Sequence, residues 1–488
     1  RCLGSAGRQT HEFNAPMSCG IIGKEAVEHP PYAYAPEVCA TLCTRSRETR
    51  ARRLLLPVLE ALAVTVHELI DAAGTSDMAR RMAQAGFERV DFDEVADIYV
   101  INTCTVTEEA NKKCRQMIGR CLRHNPDAFV VVTGCFAQLQ ADKIAQMDGV
   151  SLVLGSNTKD RLVALVEDGL RQRGEAKVVT TDILRDRAFV GSYSSGDRTR
   201  SFLKVQDGCD YFCSYCTIPM ARGLSRSATV AQTVDLARKA AADGAKEIVL
   251  TGVNIGDFGR HHGESFLDLV KALEGVESVE RYRISSIEPN LLTDDVIAHC
   301  AQSSKFMPHF HIPLQSGSDH MLRLMRRRYD TALYSAKIDK VRSLIPDAFI
   351  GADVIVGVNG ETADLFEQTR AFIEGLPVTQ LHVFTYSERP GTRALDIKPV
   401  VPVAERHERN AVLHQISERK RICFYKAHEG REAKVLVEAS VRDGFHVGFT
   451  ENYIRVEVPA SVAEVNSVVG VRLGSLSPDA MTLMARRL

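Results

Sequence analysis

From Thr75 onward the chain alternates between short apolar runs and longer stretches with helical spacing. Met78, Met82 and Phe87 recur along one helix, and Ala96–Asn102, A-D-I-Y-V-I-N, reads as a buried strand. Apolar residues every three or four positions mark an amphipathic helix, whereas a short unbroken apolar run marks a strand covered on both faces. Further runs at Phe129–Thr133 and Ser151–Leu154 repeat the unit. Strand-helix alternation of this kind predicts a parallel sheet with its functional loops beyond the carboxyl ends of the strands. Cys104, after N-T, and Cys135, after T-G, fall in such loops, so both thiols are expected at one edge of that sheet.

Residues 171–200 are polar, with S-Y-S-S-G-D-R at Ser192–Arg198, and read as a linker. Six apolar runs separated by helical stretches follow: Phe202–Val205, Glu247–Thr251, Tyr282–Ser285, His309–Ile312, Ile350–Val356 and Leu381–Thr385. Six strand-helix units predict a partial barrel whose site lies at the carboxyl ends of the strands. Val403–His428 reads as one charged helix. Five short runs with strand alternation come after it, at Lys434–Val437, His446–Phe449, Tyr453–Val458, Val468–Leu473 and Met481–Met484. They predict a small barrel of oligonucleotide-binding type. Before Thr75 no period is sustained. Leu54–Val66, preceded by Arg50, Arg52 and Arg53, imitates a signal-peptide core, but it contains Glu60 and lies some fifty residues in, so a buried helix is expected.

The chemistry concentrates in Lys204–Arg226, K-V-Q-D-G-C-D-Y-F-C-S-Y-C-T-I-P-M-A-R-G-L-S-R. Cys209, Cys213 and Cys216 stand in a C-x3-C-x2-C spacing on a loop just after the first barrel strand, where three thiolates can converge on a polynuclear metal centre. Three ligands leave the fourth iron of a cubane open to a chelating small molecule. Zinc is the alternative for thiolates, but a structural zinc site needs a fourth Cys or His, and none follows within forty residues. Tyr215, between the last two cysteines, offers a ring to shield a cluster or meet an adenine.

This stretch resembles the radical S-adenosylmethionine (SAM) superfamily, and D-G-C-D-Y-F-C-S-Y-C-T-I-P-M-A-R-G-L-S-R-S is similar to its methylthiotransferases, in particular the branch acting on threonylcarbamoyladenosine in tRNA. The resemblance spans about residues 75–488. It implies an α/β fold with a parallel-sheet methylthiotransferase domain at 75–170, a linker at 171–200 and a partial (β/α)6 radical SAM barrel at 201–402. A helix at 403–428 and an RNA-gripping TRAM barrel, OB-like, at 429–488 complete it, with residues 1–74 outside the pattern.

The resemblance further implies two 4Fe-4S clusters, the radical one on Cys209, Cys213 and Cys216 and a second that includes Cys104 and Cys135. For SAM it implies Tyr215, Gly252 in T-G-V-N-I-G, Ser286 and Glu288 in S-S-I-E-P, and Gln315 in H-I-P-L-Q-S-G-S-D. On residue type alone a Gly-rich turn and ordinary loop or cap residues account for these as well. After the fifth barrel strand the family carries a phenylalanine and a proline where this chain has G-V-N-G-E-T at Gly357–Thr362, a departure that bears on loop shape.

The family's third ligand to the second cluster lies in a T-L-G-C-x-x-N turn. Here the corresponding residues, Thr65–Asp71, contain no cysteine. Either the leading segment is not the natural one, as a shifted frame or wrong start gives, or an upstream thiol such as Cys43 takes the third position.

The implied reaction is methylthiolation of carbon 2 of the modified adenosine at tRNA position 37, using two SAM. The implied partners are tRNA, an electron donor such as flavodoxin or ferredoxin, and a sulfur donor. Methylthiolation of a ribosomal-protein aspartate and a non-catalytic iron-sulfur RNA-binding role are the alternatives.

Composition adds limits. At 488 residues the chain holds two or three domains. A net charge of -1 neither supports nor excludes nucleic acid, which depends on where the basic residues lie. M-R-R-R-Y at Met325–Tyr329 and E-R-K-R at Glu418–Arg421 are candidate phosphate contacts or solvated helix faces. Thirteen cysteines, an odd number, argue against a disulfide framework and for reduced thiols, hence a cytoplasmic protein. Cys114, Cys121, Cys300 and Cys423 sit singly on helical stretches and are expected to be buried small apolar groups. No run of eighteen apolar residues exists to span a membrane.

Overall fold

The computed structural model describes residues 40–42, 66–91, 94–103, 108–172, 174–196, 199–442 and 444–488. Cys2, Cys19, Cys39, Cys43 and Cys104, and the apolar stretch before Val66, lie outside the described residues. Three strands, Ile98–Thr103, Phe129–Gly134 and Val150–Leu154, form the parallel centre of the first sheet. Successive residues of these strands bury on opposite faces. Tyr99, Ile101, Val130 and Val132 pack on one side, and Ile98, Val100, Phe129 and Val131 on the other. A sheet covered twice needs apolar residues at both parities, which is why the strands read as unbroken runs.

Two differences from the expected layout stand at the margins of this sheet. A strand from before residue 75, Ala40–Leu42, pairs antiparallel with Ile98–Thr103, and the first helix begins at Val66. The expected linker is built into both neighbours: Lys177–Val179 adds a parallel edge strand to the first sheet, and Ser192–Tyr193 pairs antiparallel with Arg200–Lys204. Its polarity reflects edge positions, which need cover on one side only.

The six barrel strands are Arg200–Lys204, Glu247–Thr251, Arg281–Ile284, His309–His311, Phe349–Val356 and Gln380–Thr385. They form two parallel sheets, joined by single bridges between Tyr282 and Phe306 and between Ser286 and His311. Ile248, Leu250, Tyr282, Ile284, Phe310, Ile350, Ala352, Val354, Leu381 and Val383 pack into the main core. Since side chains alternate along a strand, the intervening Glu247, Arg281, Arg283, His309, His311, Asp353 and His382 face the lumen. The lumen is therefore polar.

The Val403–Lys426 helix leads to a closed barrel of five strands, Glu432–Arg442, Phe445–Thr450, Arg455–Pro459, Val468–Leu476 and Leu483–Arg487. This barrel closes the amino-end mouth of the larger one. Arg281 donates to the carbonyls of Lys434 (2.9 Å) and Phe449 (3.2 Å), and Arg283 to those of Thr450 (2.7 Å) and Glu451 (2.8 Å). Both arginines flank Glu247, which is fully buried and 2.7 Å from Arg283 Nε. Arg200 reaches Glu438 at 2.7 Å and the Tyr453 hydroxyl at 3.2 Å.

Several basic side chains expected on the surface serve this packing. Arg421 donates to the Ala480 carbonyl at 2.8 Å, and Lys420 to the Leu376 carbonyl at 2.7 Å. Of the four helical cysteines, Cys114, Cys121 and Cys300 are buried, but Cys423 is exposed, on the side of its helix turned from the core.

Candidate active site

The cysteine loop is pinched at its neck. Gln206–Asp207 pairs antiparallel with Arg226–Ser227, and the Cys209 amide donates to the Gly223 carbonyl at 3.0 Å. Gly208 is obligatory here: its φ is +72°, and a Cβ would stand 2.1 Å from the Leu224 carbonyl oxygen. Gln206, which sequence reasoning passed over, fastens the loop from within. Its Nε2 donates to the Gly208 carbonyl (2.7 Å), the Asp207 carbonyl (3.0 Å) and Ser225 Oγ (3.0 Å), while its Oε1 accepts from the Asn254 amide at 2.8 Å.

Asp207 anchors the loop electrostatically, within 3.3 Å of Lys204, 3.4 Å of Arg222 and 3.6 Å of Arg226. Burial pushes its carboxyl up, but these three cations more than offset that and hold it well below the usual carboxylate range. Arg226 also donates to Asn157 Oδ1 at 2.6 Å, tying the loop to the first sheet domain.

Each of the three sulfurs accepts one N–H from the chain. The Tyr211 amide is 3.5 Å from Cys209 Sγ, the Ile218 amide 3.4 Å from Cys216 Sγ, and Arg327 Nη1 3.1 Å from Cys213 Sγ. Burial, and then the neighbouring cysteines, push the Cys216 thiol up to about 12 and Cys209 well up, so these thiols ionise only against a cation. Three sulfurs on one short loop, each with a hydrogen-bond donor, suit an iron-sulfur cluster with one iron left open.

The remaining expected contacts divide into two groups. Glu288 pairs with Arg327 Nη2, and the Tyr215 hydroxyl is 3.5 Å from Arg327 Nη1, so one guanidinium gathers Cys213, Tyr215 and Glu288. Arg327 belongs to the M-R-R-R-Y run read as a phosphate contact or a solvated helix face, yet its side chain is only 4% exposed and turned inward. Burial raises the Glu288 carboxyl, and Arg327 opposes this. Gln315 holds a left-handed φ of +66° with its amide on the Asp353 carbonyl at 2.7 Å, and its Oε1 is buried without a hydrogen-bond partner. Ser286 is buried and bridges to His311. At Gly252 a Cβ would lie 2.7 Å from Ile255 and 3.0 Å from Gln206 Oε1, so the turn packs directly on the side chain that fastens the loop.

Cys135 is buried at the carboxyl edge of the first sheet, one residue after Gly134. Gly134 sits opposite Thr103 in register, and a Cβ on it would meet the Thr103 carbonyl at 2.3 Å. The short Cys135–Leu139 helix packs against Ile218–Arg222 of the cysteine loop, which brings Cys135 to the cluster side of the barrel.

Two family models match the chain, "Uncharacterized protein family UPF0004" over residues 70–155 and "Radical SAM superfamily" over 203–373. The threonylcarbamoyladenosine tRNA methylthiotransferase MtaB of Bacillus subtilis is 36% identical over 400 residues, covering 80% of this chain and 88% of the relative. The enzyme of the same name from Aquifex aeolicus is 36% identical over 78% of this chain and 92% of its own. A tRNA-2-methylthio-N(6)-dimethylallyladenosine synthase of Novosphingobium aromaticivorans is 33% identical over 83% and 92%.

Proposed function

The chain belongs to the radical SAM methylthiotransferase family, whose members use SAM and 4Fe-4S clusters, and from that premise we propose that it methylthiolates carbon 2 of N6-threonylcarbamoyladenosine at position 37 of tRNA, consuming two SAM. The hydrogen on that carbon has no useful acidity, so acid-base chemistry cannot exchange it for sulfur. Cys209, Cys213 and Cys216 would hold a cluster that, when bound and reduced, would supply the electron for cleaving SAM to a radical able to remove this hydrogen atom. Cys104 and Cys135 would contribute ligands to a second cluster on the facing domain, which would hold the sulfur.

The chain's own residues bind and orient. Arg327 holds Glu288 and Tyr215 beside Cys213, positioning both for the amino-acid and adenine parts of SAM. Ser286, in the same loop as Glu288, and Gln315, in the loop after the fourth strand, extend that surface, and Gly252 acts through Gln206. Residues 75–170, 201–402 and 429–488 serve as sulfur-holding, radical and RNA-gripping domains, with 171–200 and 403–428 as their connections. The electron donor is a flavodoxin or ferredoxin class protein, a separate sulfur donor renews the second cluster, and the cytoplasm, where tRNA is modified, is the site of action.

The observation that carries the reading is the set of three cysteine sulfurs, each accepting an N–H on one glycine-pinched loop. The test is a nucleoside digest of tRNA from a strain lacking the gene. Loss of the 2-methylthio form of threonylcarbamoyladenosine, restored by the wild-type gene, is expected. Loss of the dimethylallyl counterpart instead, or of neither, rejects the substrate assignment.

A further inference from the structure

Three neighbouring strands bring His311, Asp353 and His382 together in the lumen. Their parallel registers set His311 opposite Gly351 and Asp353 opposite His382, so all three side chains rise from one face. Gly351 leaves the space they use, since a Cβ there would stand 3.2 Å from His311 Nδ1. His311 Nε2 is 2.8 Å and His382 Nδ1 is 3.4 Å from the same oxygen, Asp353 Oδ1. One donor atom from each residue lies within 4.8 Å of the other two.

Two features separate this cluster from a hydrogen-bonded chain. His311 Nε2 is buried and, despite its 2.8 Å approach to the carboxylate, makes no aligned hydrogen bond. A close nitrogen–carboxylate pair without that alignment leaves room for a metal ion as the shared partner. With metal-ligand bonds of about 2.0–2.2 Å, neighbouring ligands stand roughly 2.8–3.6 Å apart in octahedral or tetrahedral geometry, and both measured separations fall in that range.

Charge is the second feature. The nearby guanidiniums are committed elsewhere, Arg327 to Glu288 and Arg283 to Glu247. The side chain of Asp353 is only 16% exposed, and a carboxylate so far withdrawn from water favours a cation beside it.

We infer that His311, Asp353 and His382 bind one first-row divalent metal ion of the zinc class, distinct from the iron-sulfur clusters and with its remaining coordination positions open to the lumen. Two imidazoles and one carboxylate suit zinc, iron, cobalt or nickel, and the absence of thiolate gives the site a signature of its own.

The test uses the full chain with its clusters reconstituted, titrated anaerobically with Zn2+ or Co2+ and then desalted. Wild type should retain about one zinc beyond its cluster iron. Asp353→Asn and His382→Asn should each lose it with iron content unchanged. Bound cobalt should give visible ligand-field bands without thiolate charge transfer, and His382→Cys should keep the metal and gain that charge transfer. Zinc should also raise the melting temperature of wild type and of neither asparagine variant. Should Asp353→Asn fail to fold, the two His382 variants decide alone. Equal zinc in wild type and His382→Asn, or thiolate charge transfer already in the wild-type cobalt spectrum, overturns the site. So does a wild type that binds neither metal, which would make the triad an imidazolium-carboxylate bridge only.

Discussion

Arg327 Nη1 stands 3.1 Å from Cys213 Sγ while Nη2 of the same guanidinium holds Glu288, so one buried cation links a cluster-type sulfur to a carboxylate on the third barrel loop. Arginine suits this position because its planar fork serves two partners at once, which an ammonium cannot do. Burial lowers the guanidinium's hold on its proton, but Glu288 and the surrounding hydroxyl and thiol groups more than restore it.

A donor to a ligating thiolate stabilises the reduced, more negative cluster. Replacing Arg327 with methionine should therefore lower the midpoint potential of the Cys209-Cys213-Cys216 cluster. It should also strand Glu288, at a cost of about 3–5 kcal/mol in stability. A redox titration followed by electron paramagnetic resonance reads the first effect. The Arg327→Met/Glu288→Gln double variant should recover part of the stability but none of the potential. A midpoint equal to wild type in Arg327→Met would remove Arg327 from the cluster's surroundings.

Alanine at Cys209, Cys213 or Cys216 should abolish formation of 5'-deoxyadenosine from SAM under reducing conditions, because a cubane missing a protein ligand is labile or mispoised. Wild-type yield from all three variants would defeat the radical reading altogether.

The contrast between these cysteines and Arg327 shows what the sequence carries. The C-x3-C-x2-C spacing is local, and a glycine at 208 and an aromatic at 215 lie inside the same loop, so the motif is legible without a fold. The barrel strands were legible too, as six apolar runs with helical stretches between them. Arg327 was not, because a run of three arginines looks the same whether it faces water or a carboxylate across the barrel. The His311-Asp353-His382 cluster depends on the register of three strands far apart in the chain, which no local pattern encodes. Cys423 misled for the same reason: helical spacing does not fix which face a tertiary contact covers.

Glu247 sets the pH response of the junction between the barrels. Burial raises its carboxyl, but Arg283, then Arg200 and Arg281, more than offset this and hold it below the ordinary range. A depressed folded value contributes stability that is complete above the unfolded value of about 4.3 and is lost as pH falls from there through the folded value. Thermal melts between about pH 6 and 3 should show this loss in wild type. They should show a flatter profile, from a lower starting point, in Glu247→Gln. Parallel profiles for the two proteins would show that another carboxylate governs the response.

The same junction changes how RNA binding is tested. Deleting residues 430–488 removes the Lys434, Phe449, Thr450 and Glu451 carbonyls to which Arg281 and Arg283 donate, leaving Glu247 as their remaining partner and uncovering the mouth of the larger barrel. The truncated chain should melt well below wild type. Exposed positions are the cleaner probe. Replacing Arg486 and Arg487 with serine should weaken tRNA binding and flatten its salt dependence, with SAM cleavage in the absence of tRNA unchanged. An unaltered salt slope would move the RNA contact off that strand.

The last prediction concerns the second cluster. Among the described residues, Cys135 alone of the cysteines stands at the carboxyl edge of the first sheet. Cys114 and Cys121 are packed into the apolar core beneath it. Thr103, paired with Gly134, delivers the chain to that edge immediately before Cys104. The segment where the family turn carries its cysteine belongs here to a helix that starts at Val66, and Thr65–Asp71 contains no thiol. The strand Ala40–Leu42 runs antiparallel to its neighbour, with Ala40 opposite Asn102 and Leu42 opposite Val100. Two thiolates leave a cubane with two open irons, an arrangement expected to be labile. If these two thiolates alone serve the second cluster, this chain, reconstituted anaerobically, should hold that cluster weakly, with about four irons in all, and its sulfur transfer should be slow relative to SAM cleavage. Replacing Cys104 and Cys135 together should change the iron content little. About eight irons in wild type, falling to about four in that double variant, would establish a complete second cluster and a third ligand supplied from elsewhere in the chain.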